Sequence, residues 1–275
     1  MRRAAAAWLQ PYRYTMRMIR NIAAYHFVVI DDPAALADTL RIRAEAHALR
    51  GTILVAGEGL NMFLAGEAEG IDGFLDALRA DPRFGDVLVK FSDSAYQPFA
   101  RLKVKVKPEI ISFRMPDASP LVAGRAPAVS PRDLARWIER GADDAGRPLV
   151  LLDTRNREEF AYGTFHDALT LPIDNFTELP AEVLARREAW TDATVVSFCT
   201  GGIRCEKAAL WMRAQGMDNV LQLDGGILGY FEQIGGFGYD GACFVFDGRV
   251  ALDPALAPIP APQQAESDPG RPSAG

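Results

Sequence analysis

The stretch Thr194–Cys205 (TVVSFCTGGIRC) leaves the chain around it little choice of fold. Thr194–Phe198 is apolar and β-branched, the composition of a short strand buried on both faces. It runs straight into Cys199, then through Thr200-Gly201-Gly202-Ile203 to a helical pattern that opens at Arg204 (RCEKAALWMRAQG). A thiol therefore sits at the carboxyl end of a strand and at the start of a helix. Backbone N–H groups and the positive end of the helix dipole converge there and favour an anion such as a thiolate. Arg204 adds a fixed positive charge, and the paired glycines let the loop amides turn inward.

The same alternation of short apolar strands and helices extends on both sides of this loop. Ser130-Pro131 caps a helix to Arg140, Leu149–Asp153 reads as a buried strand, and Asn156–Ala161 reads as helical. A brief strand over Ala168–Leu171, a helix over Leu179–Ala189, a strand over Val220–Leu223 and a helix over Gly226–Gly235 follow. This pattern predicts an α/β domain over 130–240 with a parallel sheet covered on both faces. Upstream, strands over Ile22–Ile30, Gly51–Ala56, Leu60–Ala65 and Asp86–Phe91 alternate with helices over Pro33–Leu49 and Ile71–Ala80. The order β-α-β-β-α-β predicts a ferredoxin-like α+β domain over 21–114.

Between the two domains, 115–129 is rich in Pro, Ala and Gly and reads as a linker. Residues 1–20 read as a disordered leader, or as the product of a start assigned too far upstream. Residues 241–253 read as a segment packed on the core, and 254–275 as a disordered tail.

A net charge of −6 argues against a chain that coats nucleic acid generally. It leaves room for a local basic stripe, and Ala100–Phe113 (ARLKVKVKPEIISF) contains one. Leu102, Val104 and Val106 point one way along that strand, and Arg101, Lys103, Lys105 and Lys107 point the other. The stripe suits a phosphate backbone. It equally suits a solvated edge whose lysines discourage strand-to-strand aggregation. Three cysteines, Cys199, Cys205 and Cys243, do not make a disulfide framework and favour a reducing compartment. Their spacing, with three histidines, makes no zinc site, so no metal is expected. No apolar run approaches the ~20 residues that span a bilayer. There is no GxGxxG fingerprint or Walker loop, so no nucleotide cofactor is expected.

The run from Cys199 to Arg204 is short. Phosphatase-type cysteine loops, which hold a phosphate, are longer, so this cup fits an atom or small group carried on sulfur, such as a persulfide. Cys205 is read as packing, because thiols at a helix start diverge in direction; the alternative is a resolving thiol for an oxidised Cys199. Asp153-Thr154-Arg155 follows a strand and reaches the same sheet edge. Arg155 there either meets an anionic substrate or pairs with Asp153 to brace the loop.

These residues resemble a known family. Asp153–Asn156 (DTRN), Cys199–Ala208 (CTGGIRCEKA) and Asp224-Gly225-Gly226 are similar to a rhodanese domain. With Ala56–Asn61 (AGEGLN), Arg101–Ile110 (RLKVKVKPEI) and Cys243–Val250 (CFVFDGRV), the chain resembles the rhodanese-containing tRNA uridine(34) hydroxylases of bacteria. It departs from them after the E-G-L-N turn, where Met62-Phe63 replaces a small-residue continuation. The resemblance implies a cytoplasmic enzyme that hydroxylates C5 of the wobble uridine, with molecular oxygen as co-substrate and Cys199 as the essential residue. It implies tRNA as partner, held by its anticodon arm on the Arg101–Lys107 stripe; neither a membrane nor a protein partner is expected. The rival activity is a thiosulfate-type sulfurtransferase working through a Cys199 persulfide.

Overall fold

The strands of the N-terminal half carry one apolar face and one mixed face, and the helices take only the first. The computed structural model describes residues 18–259; most of the leader and of the tail read from the sequence lie outside the described residues, and Ile19 and Arg20, read as leader, belong to the first strand. β1 (Ile19–Phe27), α1 (Pro33–Ala46), β2 (Arg50–Ala56), β3 (Gly59–Gly66), α2 (Ala68–Arg79), β4 (Val89–Ser94) and β5 (Leu102–Val106) build this half. The sheet order is β4-β1-β3-β2-β5, antiparallel except for the β2–β5 pair. This is the expected ferredoxin-like domain with one added edge strand. Asp32 caps α1 by accepting from the Ala35 amide at 2.9 Å, ahead of Pro33. Ile53, Val55, Leu60, Met62 and Leu64 pack under Leu40 and Phe74 of the helices. Each such side chain contributes about 1.5–3 kcal/mol through burial.

The opposite face is left uncovered by helices and carries Thr52, Leu54, Asn61 and Phe63. In the β2–β5 register Thr52 lies opposite Lys103 and Leu54 opposite Lys105. Paired residues of parallel strands share a face, so the lysine stripe belongs to this one. β5 is shorter than the sequence suggested. Pro108 cannot donate to the ladder, and the chain leaves the sheet there. Ile110 then packs against Ala56 and Ile203, and Phe113 enters the core of the second half.

The second half runs α3 (Pro120–Ala123), β6 (Ala128–Val129), α4 (Pro131–Arg140), β7 (Leu149–Asp153), α5 (Arg157–Phe160), β8 (Gly163–Phe165), β9 (Leu169–Thr170), α6 (Leu179–Leu184), β10 (Thr194–Phe198), α7 (Ile203–Ala214), β11 (Val220–Leu223), α8 (Gly226–Ile234), β12 (Tyr239–Gly241), β13 (Cys243–Phe244) and β14 (Ala251–Leu252). Its main sheet has the order β6-β11-β10-β7-β9, with every pair parallel. β10 is central and buried throughout: Val195 faces one core with Trp211 and Met212, and Val196 faces another with Tyr230 and Phe231.

Two further segments differ from their sequence reading, and a third packs on the core as read but also contacts the first half. Within 115–129, Ala118 and Ala126 are buried and Ala128–Val129 forms the sheet edge beside β11. Alanines lose almost no side-chain entropy on burial, so a stretch that reads as spacer can still pack. The helix expected over Leu179–Ala189 stops at Leu184, and a separate 3-10 turn covers Arg187–Trp190. The β13–β14 pair belongs to the second core but also reaches back, with Arg249 donating to Ser92 Oγ of β4 at 2.7 Å.

Candidate active site

The two halves meet over the start of α7. Lys207 of α7 sends its buried ammonium across to Glu58 at 2.8 Å and Glu109 at 2.9 Å. Tyr25 of β1 donates to Glu206 at 3.1 Å. Asn61 donates to the Ile110 carbonyl at 3.1 Å, and Glu58 accepts the Ile110 amide at 2.8 Å. The E-G-L-N turn thus holds the crossing segment against the loop that bears Cys199.

That loop is shaped from behind by α8. The amides of Ile227 and Leu228, free donors at a helix start, take the carbonyls of Cys199 and Thr200 at 2.9 and 3.0 Å. With the carbonyls turned back, the loop amides face the sulfur. Gly226 makes this approach possible, because a Cβ there would lie 2.5 Å from the Cys199 carbonyl oxygen and 2.7 Å from the Gly202 nitrogen. Gly202 adopts φ 103°, a conformation open to glycine, and its N–H donates to Cys199 Sγ at 3.1 Å.

Cys199 is fully buried. Burial alone pushes its thiol up. The Cys205 thiol, the Arg204 charge and the first amides of α7 outweigh burial and hold Cys199 down at about 5. Cys205 is driven the other way, by its own burial and by the anion beside it. The two thiols therefore act as a pair, one ionised and one donating, with Thr154 Oγ1 3.6 Å from the Cys205 sulfur. Cys243 stays apart, pushed up to about 12 by burial.

Arg204 is not free to grip a ligand. Glu159 of α5 holds its guanidinium through two bonds of 2.5 and 2.6 Å, so Arg204 acts on the sulfur through its field. Asp153 and Arg155 form a second buried bidentate pair at 2.9 and 2.6 Å, and Thr164 also donates to Asp153. Of the two sequence readings for Arg155, the geometry is that of the brace.

Cys199, Thr200, Gly201, Ile203 and Arg204 line one wall of a cleft of 610 Å³. The free face of the N-terminal sheet lines the other, with Tyr25, Leu54, Asn61 and Phe63. Lys107 stands at the cleft, and Arg101, Lys103 and Lys105 lead away from it, all exposed. Sequence reasoning missed Glu159, Lys90, Phe63 and Phe246. Phe246 projects into the cleft from the turn after β13, 6.5 Å from Phe63 and 5.9 Å above the Arg204 guanidinium. Glu159 serves twice, accepting the Asn156 amide at 3.1 Å at the start of α5 and holding Arg204 through the same carboxylate.

One expectation follows from this electrostatics. The ultraviolet absorbance of thiolate, taken as the difference between wild type and Cys199→Ser, is present at neutral pH and disappears as pH falls through about 5. Cys205 and Cys243, both raised, stay protonated across that range.

Comparison with known proteins adds an independent line. Residues 19–110 match the family model described as UPF0176 acylphosphatase like domain, and 130–233 match the Rhodanese-like domain. A curated protein of Xanthomonas euvesicatoria pv. vesicatoria (strain 85-10), named tRNA uridine(34) hydroxylase, is 67% identical over 242 residues, 88% of this chain and 97% of its own. One of Xanthomonas campestris pv. campestris (strain B100) with the same name is 68% identical, covering 88% and 95%. A third, of Xylella fastidiosa (strain 9a5c), is 63% identical, covering 88% and 94%.

Proposed function

Because this chain belongs to the tRNA uridine(34) hydroxylase family, we propose that it hydroxylates the wobble uridine of tRNA, with molecular oxygen as co-substrate and Cys199 as the catalytic thiolate. The observation that carries the assignment of Cys199 is a buried thiol that accepts the Gly202 N–H at 3.1 Å, at the wall of a cleft large enough for a nucleobase. A uridine in an anticodon loop is unpaired and is extruded at low cost. Phe63 and Phe246 offer it apolar ring surface in the cleft that Cys199 lines, and base–aromatic stacking of this kind is worth about 1–3 kcal/mol. Addition of the thiolate to C6 of uracil forms the S–C6 bond and moves the C5=C6 π pair onto the C5–O4 enolate. C5, the position to be hydroxylated, then carries the electron density and takes up oxygen as a hydroperoxide. Loss of the C5 proton expels the Cys199 thiolate from C6, and a two-electron donor such as a cellular thiol reduces the O–O bond to leave the 5-hydroxyl and water. Thr200, Gly201, Gly202, Ile203 and Arg204 serve as the cup around the sulfur, and Asp153, Arg155 and Cys205 support it.

On this reading 21–114 is the unit that holds the anticodon arm and 130–240 the unit that does the chemistry. Residues 115–129 join them, and 241–253 close one side of the cleft. Arg101, Lys103, Lys105 and Lys107 run outward from the cleft and track the phosphate backbone. Replacing the three lysines by Gln weakens tRNA binding for every sequence alike. It also makes the dependence of log K on log salt shallower by about 2, from roughly 0.7 per lost phosphate contact. Equal slopes in a filter-binding titration would remove the stripe from the interface. Among the described residues no helix is long and apolar enough to cross a membrane, and we place the enzyme in the cytoplasm.

The amide cup also suits a persulfide, which keeps sulfur transfer as the rival. Mass spectrometry of tRNA nucleosides from cells lacking the gene separates the two. Loss of 5-hydroxyuridine derivatives supports hydroxylation, and loss of thiolated uridine supports sulfur transfer.

A further inference from the structure

Lys90, on β4, lies in the N-terminal domain, yet its ammonium ends on the cysteine loop of the other domain. Nζ donates to the carbonyl oxygen of Gly201 at 3.0 Å. Gly201 and Gly202 share one peptide unit, and the N–H of that same unit donates to Cys199 Sγ at 3.1 Å. In a trans peptide the C=O and N–H point in opposite directions, so a cation on the oxygen and an anion on the hydrogen fix one plane. Two glycines flank this unit. Gly226 of α8 backs the unit, since a Cβ there would lie 2.9 Å from the Gly201 carbonyl carbon and 2.7 Å from the Gly202 nitrogen, and the two hydrogen bonds orient the plane on that seat. The approach of Lys90 is itself built in: a Cβ on Gly225 or Gly229 would lie 3.7 or 3.8 Å from its Cε, so the stem runs across the glycine face of α8.

We propose that Lys90 is a positioning residue through which the N-terminal domain sets the ionisation of Cys199, by holding the Gly201–Gly202 peptide with its N–H on the sulfur. The hydrogen bond on the carbonyl also polarises the peptide, strengthening the N–H donor at its other end. Docking of the substrate-holding domain thereby extends to lower pH the range in which the catalytic thiol is ionised.

The groups that face this arrangement are few. Arg204 and Cys205 stand beside the sulfur, and Tyr25, paired with Glu206, lies under the loop. Around the ammonium, burial pushes Lys90 down, while the Cys199 anion, Asp224 and Glu232 push it back up against Arg125. Tyr25 also offers its ring 6.0 Å from Nζ.

The test is the thiolate titration of wild type, Lys90→Met and Lys90→Arg, each read against its Cys199→Ser counterpart. Lys90→Met raises the midpoint by about one pH unit, the size expected for losing a strengthened donor to the anion. Lys90→Arg, which keeps a cationic donor, returns the midpoint toward wild type. At a fixed pH near the new midpoint, kcat falls in Lys90→Met while KM for tRNA holds. An unshifted midpoint in a Lys90→Met protein with a native circular dichroism spectrum overturns the proposal. So does a shift that Lys90→Arg reproduces in full. If Lys90→Met does not fold, Lys90→Gln carries the same comparison. The titration uses no tRNA, so its result stands whichever reaction the thiol performs.

Discussion

Cys199→Ser yields a folded protein that forms no measurable 5-hydroxyuridine, a loss of about 10³-fold or more. The substitution is nearly isosteric, and a serine oxygen can still accept the Gly202 N–H that now meets the sulfur at 3.1 Å. What disappears is the anion. A hydroxyl does not ionise near neutral pH even with the Arg204 field and the α7 amides trained on it, so no nucleophile remains. Stability carries the same signature. The folded-state value of the thiol, about 5, lies below its ordinary value, so ionisation stabilises the fold. That contribution is complete above the ordinary thiol value and is lost as pH falls through about 5. The stability advantage of wild type over Cys199→Ser therefore shrinks on acidification, and urea denaturation at stepped pH measures it. A constant gap across that range would mean that the thiol is not ionised.

The second large effect comes from the pair that steers this field. Glu159→Ala leaves the Arg204 guanidinium buried without its carboxylate, which costs about 3–5 kcal/mol. Removing both partners separates stability from function. The Glu159→Met/Arg204→Met double variant replaces two buried charges by apolar volume and recovers most of the lost stability. It does not recover activity, because the cation that lowers Cys199 has gone with the pair; its thiolate midpoint rises. Recovery of activity in the double variant would show that Arg204 braces α5 and does nothing for the sulfur.

The sequence exposed those parts of the site whose chemistry is local. Thr194–Cys205 is strand, turn and helix in one contiguous run, so the buried thiol and the helix start could be read directly. The register of β2 and β5 could not be read in advance. Alternation put the lysines on one face of their strand, but only the pairing of Lys103 with Thr52 put that face on the cleft. Lys90 and Glu159 look in sequence like ordinary charged residues of a strand and a capped helix. Each acquires its role from a partner far along the chain: Gly201 for Lys90, Arg204 for Glu159. Phe63, conspicuous only as a departure from the family segment, proves to be cleft surface.

The central claim is that this cleft oxidises uridine 34 with molecular oxygen through Cys199. The most direct measurement supplies heavy-isotope oxygen gas to the purified protein with unmodified tRNA and a cell extract lacking the gene, then digests the tRNA for mass spectrometry. The account predicts one heavy oxygen atom in 5-hydroxyuridine at the wobble position with wild type and none with Cys199→Ser. Label retained with Cys199→Ser, or thiolated uridine in place of the hydroxylated base, would contradict it.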